Sequence, residues 1–286
     1  MANLKEIRNR IASVSSTMQI TSAMKMVSAA KLKKAQDAIT AMRPYADKLT
    51  ELLQNLSGSL DSDTGSSFAE ERPVKKVLVV SITSNRGLCG AFNSNVIKEC
   101  ISLKENTFVE QEVHFMTVGK KGFDLLKKKN KVVGDHSKVF DDLTFDHVAQ
   151  IAEELMEHFV SGSYDKIVLV YNKFKNAATQ ILMTEQFLPI VPESSENRSS
   201  TDYIFEPEKE KIVMELIPKS LKTQLYKAVR DSFASEHGAR MTAMHKATDN
   251  ASELRDQLKL TYNKARQAAI TNEILEIVGG AEALNG

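Results

Sequence analysis

Cysteine, long apolar runs and an excess of one charge are all scarce in this chain of 286 residues. Its two cysteines, Cys89 and Cys100, offer no disulfide framework and no metal-binding spacing, so they indicate a reducing compartment. No stretch approaches the ~20 apolar residues that a membrane-spanning helix requires. The formal net charge of +1 gives no global case for nucleic-acid binding. We therefore expect a protein without disulfides, a direct membrane span or a nucleic-acid partner.

Motifs for catalysis are also missing. The six histidines show no H-E-x-x-H or comparable metal spacing. Gly87 and Gly90 follow a predicted strand, but their G-x-x-G pattern is neither a dinucleotide fingerprint nor a P-loop. A tight turn that lets a helix pack on a strand is a simpler interpretation than a phosphate cradle. No histidine lies near Cys89 in sequence, and no acid–base pair or triad emerges. We therefore expect no catalytic site, no cofactor and no metal.

Near both ends of the chain, apolar residues recur at alternating three- and four-residue spacing, the heptad period of a coiled coil. In the N-terminal segment they are Leu4, Ile7, Ile11, Val14, Met18, Leu32, Ala35, Ile39 and Met42. In the C-terminal segment they are Ala247, Ala251, Leu254, Leu258, Thr261, Ala265, Ala268 and Leu275. Because the chain leaves one end of a rod and returns to it, the two helices are expected to be antiparallel. Each helix would have about 50–60 residues and a length of ~80–90 Å at 1.5 Å per residue.

Two features set this rod apart from a self-contained coiled coil. Lys25, Ser28, His237 and Arg240 occupy core positions of the register, where polar groups cost stability unless they set the register or face a partner. The last helix is also expected to extend beyond the first, and its end is rich in apolar residues: Ala268, Ala269, Ile270, Ile274, Leu275, Ile277, Val278 and Ala281. A lone helix end that is apolar nearly all round must be covered by another protein.

The middle of the chain alternates between strand and helix patterns. Continuous apolar runs typical of buried parallel strands lie at residues 77–83, 113–118 and 167–171. Helical patterns lie between them at residues 91–105 and 143–160. Further strands are predicted at residues 178–190 and 203–205. This rhythm predicts a small Rossmann-like three-layer α/β domain with a mainly parallel sheet.

These patterns divide the chain into four parts. Residues 1–57 are predicted to be the N-terminal coiled-coil helix, and residues 58–72 a flexible connector rich in Ser, Asp and Gly. Residues 73–206 form the α/β domain. Residues 207–286 form the C-terminal coiled-coil helix and its tip, which starts near Pro218 and ends at the Gly279-Gly280 pair.

Positive charge is concentrated in the first predicted helix. Residues 1–50 contain nine Lys or Arg and three Asp or Glu. An acidic partner surface would explain this excess, although a solvated helix face is the commoner explanation of such a pattern.

Four separated segments resemble the gamma subunit of bacterial F-type ATP synthases. They are residues 4–8 with 19–27, residues 86–90, residues 234–241 with 247–251, and residues 270–283, which contain the family's Ile-Thr-x-Glu and Gly-Ala elements. The segments occur in the family's order and cover essentially the whole chain. The resemblance implies a central-stalk rotor that couples ion flow to ATP synthesis or hydrolysis, with no catalytic site of its own. Its coiled coil would stand inside a ring of alpha and beta subunits, and its α/β domain would contact the epsilon subunit and the c-subunit ring.

The resemblance also implies roles for particular residues. Contacts with the alpha/beta ring are expected from Met24, Lys25, Arg240, Arg266, Gln267, Thr271 and Glu273. Contacts with the c ring and the epsilon subunit are expected from Tyr203, Phe205 and Glu206. Because the helical pattern starts at the first residues, no leader peptide is expected. The implied location is peripheral, on the cytoplasmic face of the bacterial inner membrane.

Two alternatives stay open on the residues alone. One is a coiled-coil scaffold or chaperone that does not rotate, which predicts a stable homo-oligomer that ignores alpha and beta subunits on co-expression. The other is a nucleotide-binding enzyme that uses the α/β domain, which predicts nucleotide binding by the isolated chain.

Overall fold

A computed structural model describes residues 4–57, 68–70, 72–190 and 209–285. Its regular elements are, in chain order, α1 (Leu4–Ser57), β1 (Lys76–Ile82), α2 (Phe92–Ser102), β2 (Glu112–Val118), α3 (Lys120–Leu126), β3 (Val132–Asp135), α4 (Phe145–Val160), β4 (Lys166–Phe174), β5 (Gln180–Leu188) and α5 (Lys209–Asn285). They form two compact units. The helical unit contains the residues up to Ser28 and those from Met241 onward, and the sheet unit is Ala29–Arg240.

The sheet has five strands in the order β3-β2-β1-β4-β5. The first four strands are parallel, and β5 runs antiparallel to β4. The predicted mainly parallel sheet is therefore confirmed. Because β1 pairs with β2 on one side and β4 on the other, the strand order reverses at β1. In open α/β sheets, ligands usually bind in the crevice outside the carboxyl ends of the strands at such a reversal.

Helices cover both faces of the sheet, which confirms the predicted three layers. On one face, alternate β1 residues such as Val80 pack against α4 and the first part of α5, where Ile217, Leu221 and Leu225 are buried. On the other face, the intervening residues such as Val79 pack against α2 and Leu126 of α3. The first part of the last helix thus belongs to the core of the sheet unit.

The helix α5 is longer at both ends than the sequence predicted. Pro218 lies inside α5 instead of at its start, and it removes one backbone hydrogen bond. The adjacent Ile217 and the nearby Leu221 are buried in the sheet unit's core, so packing compensates for that loss. At the other end α5 continues through Gly279 and Gly280 to Asn285, so the glycine pair does not end the helix.

Two short elements, α3 and β3, were not predicted. Both follow Gly119, whose φ of 121° is accessible mainly to glycine. A Cβ added to Gly119 would lie 2.1 Å from the carbonyl oxygen of Thr83, so only glycine allows this close approach of β2's end to β1's end. The backbone N–H of Gly122 then donates to Thr83 Oγ1 at 2.9 Å, which fixes α3 against the same strand end.

In the helical unit, α1 and α5 run antiparallel, as predicted. Arg8 Nη2 donates to Tyr262 Oη at 2.8 Å, and Arg255 Nη1 lies 3.6 Å from Met18 Sδ. Further along α1, Thr248 Oγ1 donates to Thr21 Oγ1 at 2.8 Å. Residues 8, 18 and 21 of α1 thus pair with residues 262, 255 and 248 of α5, which shows that the two helices run in opposite directions.

The predicted heptad register is confirmed on α1 but is wrong at alternate positions of α5. Ala251, Leu258 and Ala265 lie in the seam as predicted, whereas Leu254 is 46% exposed and Thr261 is also exposed. Arg255 and Tyr262 take the seam positions instead. Their apolar stems and ring lie along α1, and their polar ends reach Met18 and Arg8.

Candidate functional site

The end of α5 presents large apolar side chains to solvent. Five of them are between 48% and 71% exposed: Ile270, Ile274, Leu275, Ile277 and Val278. At 3.6 residues per turn these five span about half of the helix circumference. The other half carries Asn, Glu and the two glycines, so the expectation of an end that is apolar nearly all round is only partly right. The end is a strongly amphipathic helix whose apolar half is uncovered.

Four of the predicted contact residues lie on this same exposed part of α5. Arg266 and Glu273 are seven positions apart and share one face of the helix. Gln267 and Thr271 are four positions apart and lie among the apolar side chains, about 130° around the helix from the first pair. Thr271 Oγ1 donates to the Gln267 carbonyl at 2.9 Å. All four residues are exposed. The four residues therefore share the exposed part of α5 but lie on two separate faces of the helix.

Met24 and Lys25 lie on α1, away from that group. Both are half-buried and sit one turn after Thr21, which bonds to Thr248 of α5. Arg266 is about 18 residues beyond Thr248, which corresponds to ~27 Å of helix. The residues next to Met24 and Lys25 include exposed apolar side chains, Ile20, Met26 and Val27. The helical unit thus carries two separate candidate contact surfaces.

Arg240 belongs to the sheet unit, and its guanidinium forms hydrogen bonds with groups of the same unit. Nη1 donates to Glu236 Oε1 at 2.6 Å, and Nη2 donates to the carbonyls of Arg86 at 3.1 Å and Gly87 at 3.3 Å. The Arg240 side chain is 9% exposed. The expectation that this guanidinium meets a partner directly is therefore not supported by its burial.

The groups around Arg240 have perturbed protonation. Burial raises the pKa of the Glu236 carboxyl, although Arg240 and Lys31 act in the opposite direction. Burial, assisted by the positive charges of Arg240 and Lys31, lowers the pKa of His237 to about 4. His237 is therefore neutral at physiological pH, and its ring packs edge-on against Phe233 at 4.5 Å between centroids.

The loop that Arg240 binds is residues 86–90, which we call the Leu88 loop. Leu88 has φ = 62°, in the left-handed region, and its side chain is 66% exposed. Upstream, Ser84 Oγ donates to the Arg86 carbonyl at 2.6 Å. Downstream, Asn93 Nδ2 donates to Cys89 Sγ at 3.2 Å. Sequence reasoning missed Leu88 because nothing in its residue type signals this backbone conformation.

The crevice where the strand order reverses is filled by α5. Asn172 at the end of β4 donates through Nδ2 to the Phe92 carbonyl at 3.2 Å. Its own carbonyl accepts a hydrogen bond from Ser235 Oγ of α5 at 2.9 Å. A Cβ on Gly238 would lie 3.2 Å from Ala177 Cα, so α5 packs directly on this edge. The place where a doubly wound sheet usually binds a nucleotide is thus occupied by the chain itself.

A separate cleft of about 400 Å³ lies between the end of β3 and α4. Its polar lining includes His136, His147 and Glu154, and His136 Nε2 is 3.3 Å from a Glu154 carboxylate oxygen. None of the predicted contact residues that the structure describes lines it. Within the described part of the chain, no three His, Cys, Asp or Glu side chains are arranged to hold a metal ion.

Two expectations from the sequence remain, the c-ring contact residues and the absence of a membrane span. Tyr203, Phe205 and Glu206, and the strand predicted at residues 203–205, lie outside the described residues. None of the helices within residues 4–57, 68–70, 72–190 and 209–285 combines the length and apolarity needed to cross a membrane.

Comparison with known proteins gives concordant results. A family model described as ATP synthase matches residues 3–284. The ATP synthase gamma chain of Flavobacterium johnsoniae is 74% identical over 287 residues, covering 100% of both chains. That of Flavobacterium psychrophilum is 73% identical, again over 100% of both chains. Among solved structures, a chain from the central stalk and c ring of the Tetrahymena thermophila mitochondrial ATP synthase is 26% identical, with a TM-score of 0.60. That match covers 80% of this chain and 99% of the other.

Proposed function

The chain belongs to the ATP synthase gamma-chain family, and from that membership we propose that it is the central-stalk rotor of a bacterial ATP synthase. It is a non-catalytic subunit that transmits rotation between the c-subunit ring and the catalytic ring of alpha and beta subunits. Its partners are these subunits and the epsilon subunit. It acts as a peripheral protein on the cytoplasmic face of the bacterial inner membrane.

The observation that carries this proposal is the uncovered apolar half of the end of α5. Five large apolar side chains there are at least 48% exposed. An exposed apolar surface of this kind marks a site where another protein binds. An alpha/beta ring that encloses the helix end would supply such a cover and would still allow the helix to turn, because apolar contacts impose little preference for one angle.

The proposed mechanism follows from symmetry. A single asymmetric shaft inside a threefold ring cannot contact three equivalent catalytic subunits in the same way. Each orientation of the shaft therefore stabilises a different conformation in each subunit, and turning the shaft shifts their affinities for nucleotide. The α1–α5 seam, held by bonds such as Arg8–Tyr262 and Thr21–Thr248, supports a shaft that resists unwinding under torque.

The contact residues are assigned as part of the same proposal. We place Arg266, Gln267, Thr271 and Glu273 against the upper loops of the ring, because all four are exposed on the same part of α5 as the apolar side chains. Met24 and Lys25 form a second contact lower on the shaft. Tyr203, Phe205 and Glu206 remain assigned to the c ring and the epsilon subunit. Arg240 is assigned an indirect role, because its guanidinium is buried.

The test is to co-express the full chain with alpha and beta subunits and to measure complex formation and ATP hydrolysis. We expect the Arg266→Ala, Gln267→Ala double variant to lower the hydrolysis rate, because a charge-assisted hydrogen bond contributes about 1.5–3 kcal/mol. Lys128→Ala, Lys129→Ala is the matched control, because it removes exposed polar groups from the sheet unit. A stable homo-oligomer that ignores alpha and beta subunits would contradict the rotor and favour a scaffold.

A further inference from the structure

We propose that the cleft between the end of β3 and α4 is a binding site for a guanidinium group. This cleft, which we call the His136 cleft, is lined by His136 after β3 and by His147 and Glu154 of α4. Its volume of about 400 Å³ lies within the range of clefts that bind small molecules. The guanidinium belongs either to a free molecule of about the size of arginine or to an arginine side chain of another protein. The site does not depend on the rotor function.

The first argument is a buried imidazole nitrogen that lacks a partner. Nε2 of His136 is buried and forms no hydrogen bond within the described residues. The nearest Glu154 carboxylate oxygen, Oε2, lies 3.3 Å away but not in hydrogen-bond geometry. The lack of a side chain at Gly134 makes room for the ring, because a Cβ there would lie 3.2 Å from Nε2. A nitrogen and an oxygen thus lie side by side, and buried polar atoms without a partner are where a bound group is expected.

The second argument is that most polar side chains of the His136 cleft are hydrogen-bond acceptors. His147 Nδ1 lies 2.9 Å from the carbonyl oxygen of Asp142, so Nδ1 carries the proton and Nε2 of a neutral ring is an acceptor. The carboxylate of Glu154 can only accept. The lining side chains that are always able to donate are Lys138 and Gln150, and both are exposed. A ligand that fills the cleft must therefore supply several N–H donors.

The third argument is the charge of the lining. Two carboxylates, those of Asp135 and Glu154, oppose the single ammonium of Lys138, so the lining has a net charge of −1 when its histidines are neutral. This charge disfavours an anion such as phosphate. A metal ion is disfavoured too, because no three His, Cys, Asp or Glu side chains within the described residues are arranged to hold one. The ligand that remains is an organic cation.

A guanidinium fits these acceptors better than a primary ammonium does. Its N–H donors are fixed in one plane, so two of them can bond to acceptors that lie side by side, here His136 Nε2 and Glu154 Oε2. His147 lies seven positions before Glu154 on the same face of α4 and offers a further acceptor. Val139 and Ile151, which are 7% and 4% exposed, provide an apolar floor for the flat and weakly hydrated guanidinium plane.

The test is to titrate the full chain with N-acetyl-arginine amide at pH 8, where an ordinary imidazole is neutral. The imidazole Hε1 NMR signals of His136 and His147 should both move, with one dissociation constant on the order of 1 mM. N-acetyl-lysine amide has the same charge and should bind at least about fivefold more weakly. Inorganic phosphate should move neither signal. Equal binding of the two amides, or binding of phosphate, would overturn the guanidinium site.

Two variants of the lining should change the affinity for the arginine amide in opposite directions. Glu154→Gln should weaken binding about tenfold or more, because it removes a charge-assisted hydrogen bond. Glu157→Gln is the matched control, because Glu157 is an exposed carboxylate of α4 that does not line the cleft. Lys138→Gln should strengthen binding about twofold, because it removes the opposing charge, and it keeps the test valid if Glu154→Gln does not fold. Equal affinities of Glu154→Gln and Glu157→Gln, or weaker binding by Lys138→Gln, would overturn the site.

The two sources of the guanidinium are distinguished by the reactivity of His147, which is exposed in the chain alone. Diethylpyrocarbonate modification of His147 is measured by mass spectrometry in the free chain and in the purified membrane complex. If a partner's arginine fills the cleft, His147 should be protected in the complex, and Glu154→Gln should restore its reactivity. If the ligand is a free molecule, His147 should react in the complex and be protected by added arginine amide. Failure of the amide to protect His147 in the free chain would overturn the site.

Discussion

Acidification should destabilise the sheet unit through His237, a buried residue of α5 that is 5% exposed. Its pKa is about 4 in the folded chain, against an ordinary value of 6.5. Between these two values the unfolded chain binds the proton and the folded chain does not. Stability contributed by neutral His237 is therefore fully present above pH 6.5 and is lost as the pH falls towards 4.

The size of the effect follows from the same two values. The full difference corresponds to about 3 kcal/mol, of which about 2 kcal/mol should be lost between pH 7 and pH 5. Two neighbouring carboxyls act in the opposite direction. Burial raises the pKa of Glu236 and of Asp231, so both take up protons more readily in the folded chain and gain stability on acidification. The His237 contribution must therefore be isolated by comparing variants.

The assay is urea denaturation of wild type and His237→Gln at pH 7 and pH 5. Wild type should lose about 2 kcal/mol more unfolding free energy than the variant over this interval. His245→Gln is the matched control, because His245 lies on the same helix in an exposed pair with Asp249. It should behave as wild type. Equal losses in wild type and His237→Gln would refute the reasoning, because His237 would then be protonated in the folded chain.

Three further outcomes are expected from the described structure. Gly119→Ala should destabilise the chain by about 3 kcal/mol or more, because its Cβ would overlap a strand-end carbonyl; a smaller loss in urea denaturation would contradict this. Leu258→Ala should cost about 1–2 kcal/mol and Leu254→Ala less than about 0.5 kcal/mol in the same measurement, and the reverse order would contradict the observed seam. Burial raises the pKa of both Cys89 and Cys100, so neither thiol should react with iodoacetamide at pH 7.5 until the chain is unfolded, as followed by mass spectrometry.

The coiled coil could be predicted on α1 but only in part on α5, for a local reason. On α1 the seam positions from Ile7 to Ile39 are mostly apolar, so the register is unambiguous. On α5, Leu254 and Arg255 compete for the same seam position, and hydropathy favours the leucine. Arg255 occupies the seam position because its guanidinium reaches Met18 Sδ on α1. This contact depends on how the two helices pair, which the sequence alone does not show.

The longer strands of the sheet were predictable from the sequence, and the short strand β3 was not. Three strands, β1, β2 and β4, were found from continuous apolar runs, and β5 was predicted without one. The strand β3 has four residues and gains its stability from pairing with β2. The hydrogen bonds from Arg240 to the carbonyls of Arg86 and Gly87 could not be predicted for a related reason. They join residues 154 and 153 positions apart, and each partner is a backbone carbonyl, which leaves no trace in residue type.

The uncovered half of α5 also bears on the life of the subunit before assembly. A newly made copy displays five large apolar side chains that its own fold leaves bare. Such a copy should self-associate or be held by a chaperone, and it should be degraded when it outnumbers its partners. We therefore expect cells to accumulate little free subunit, and its synthesis to be matched to that of the proteins that receive it.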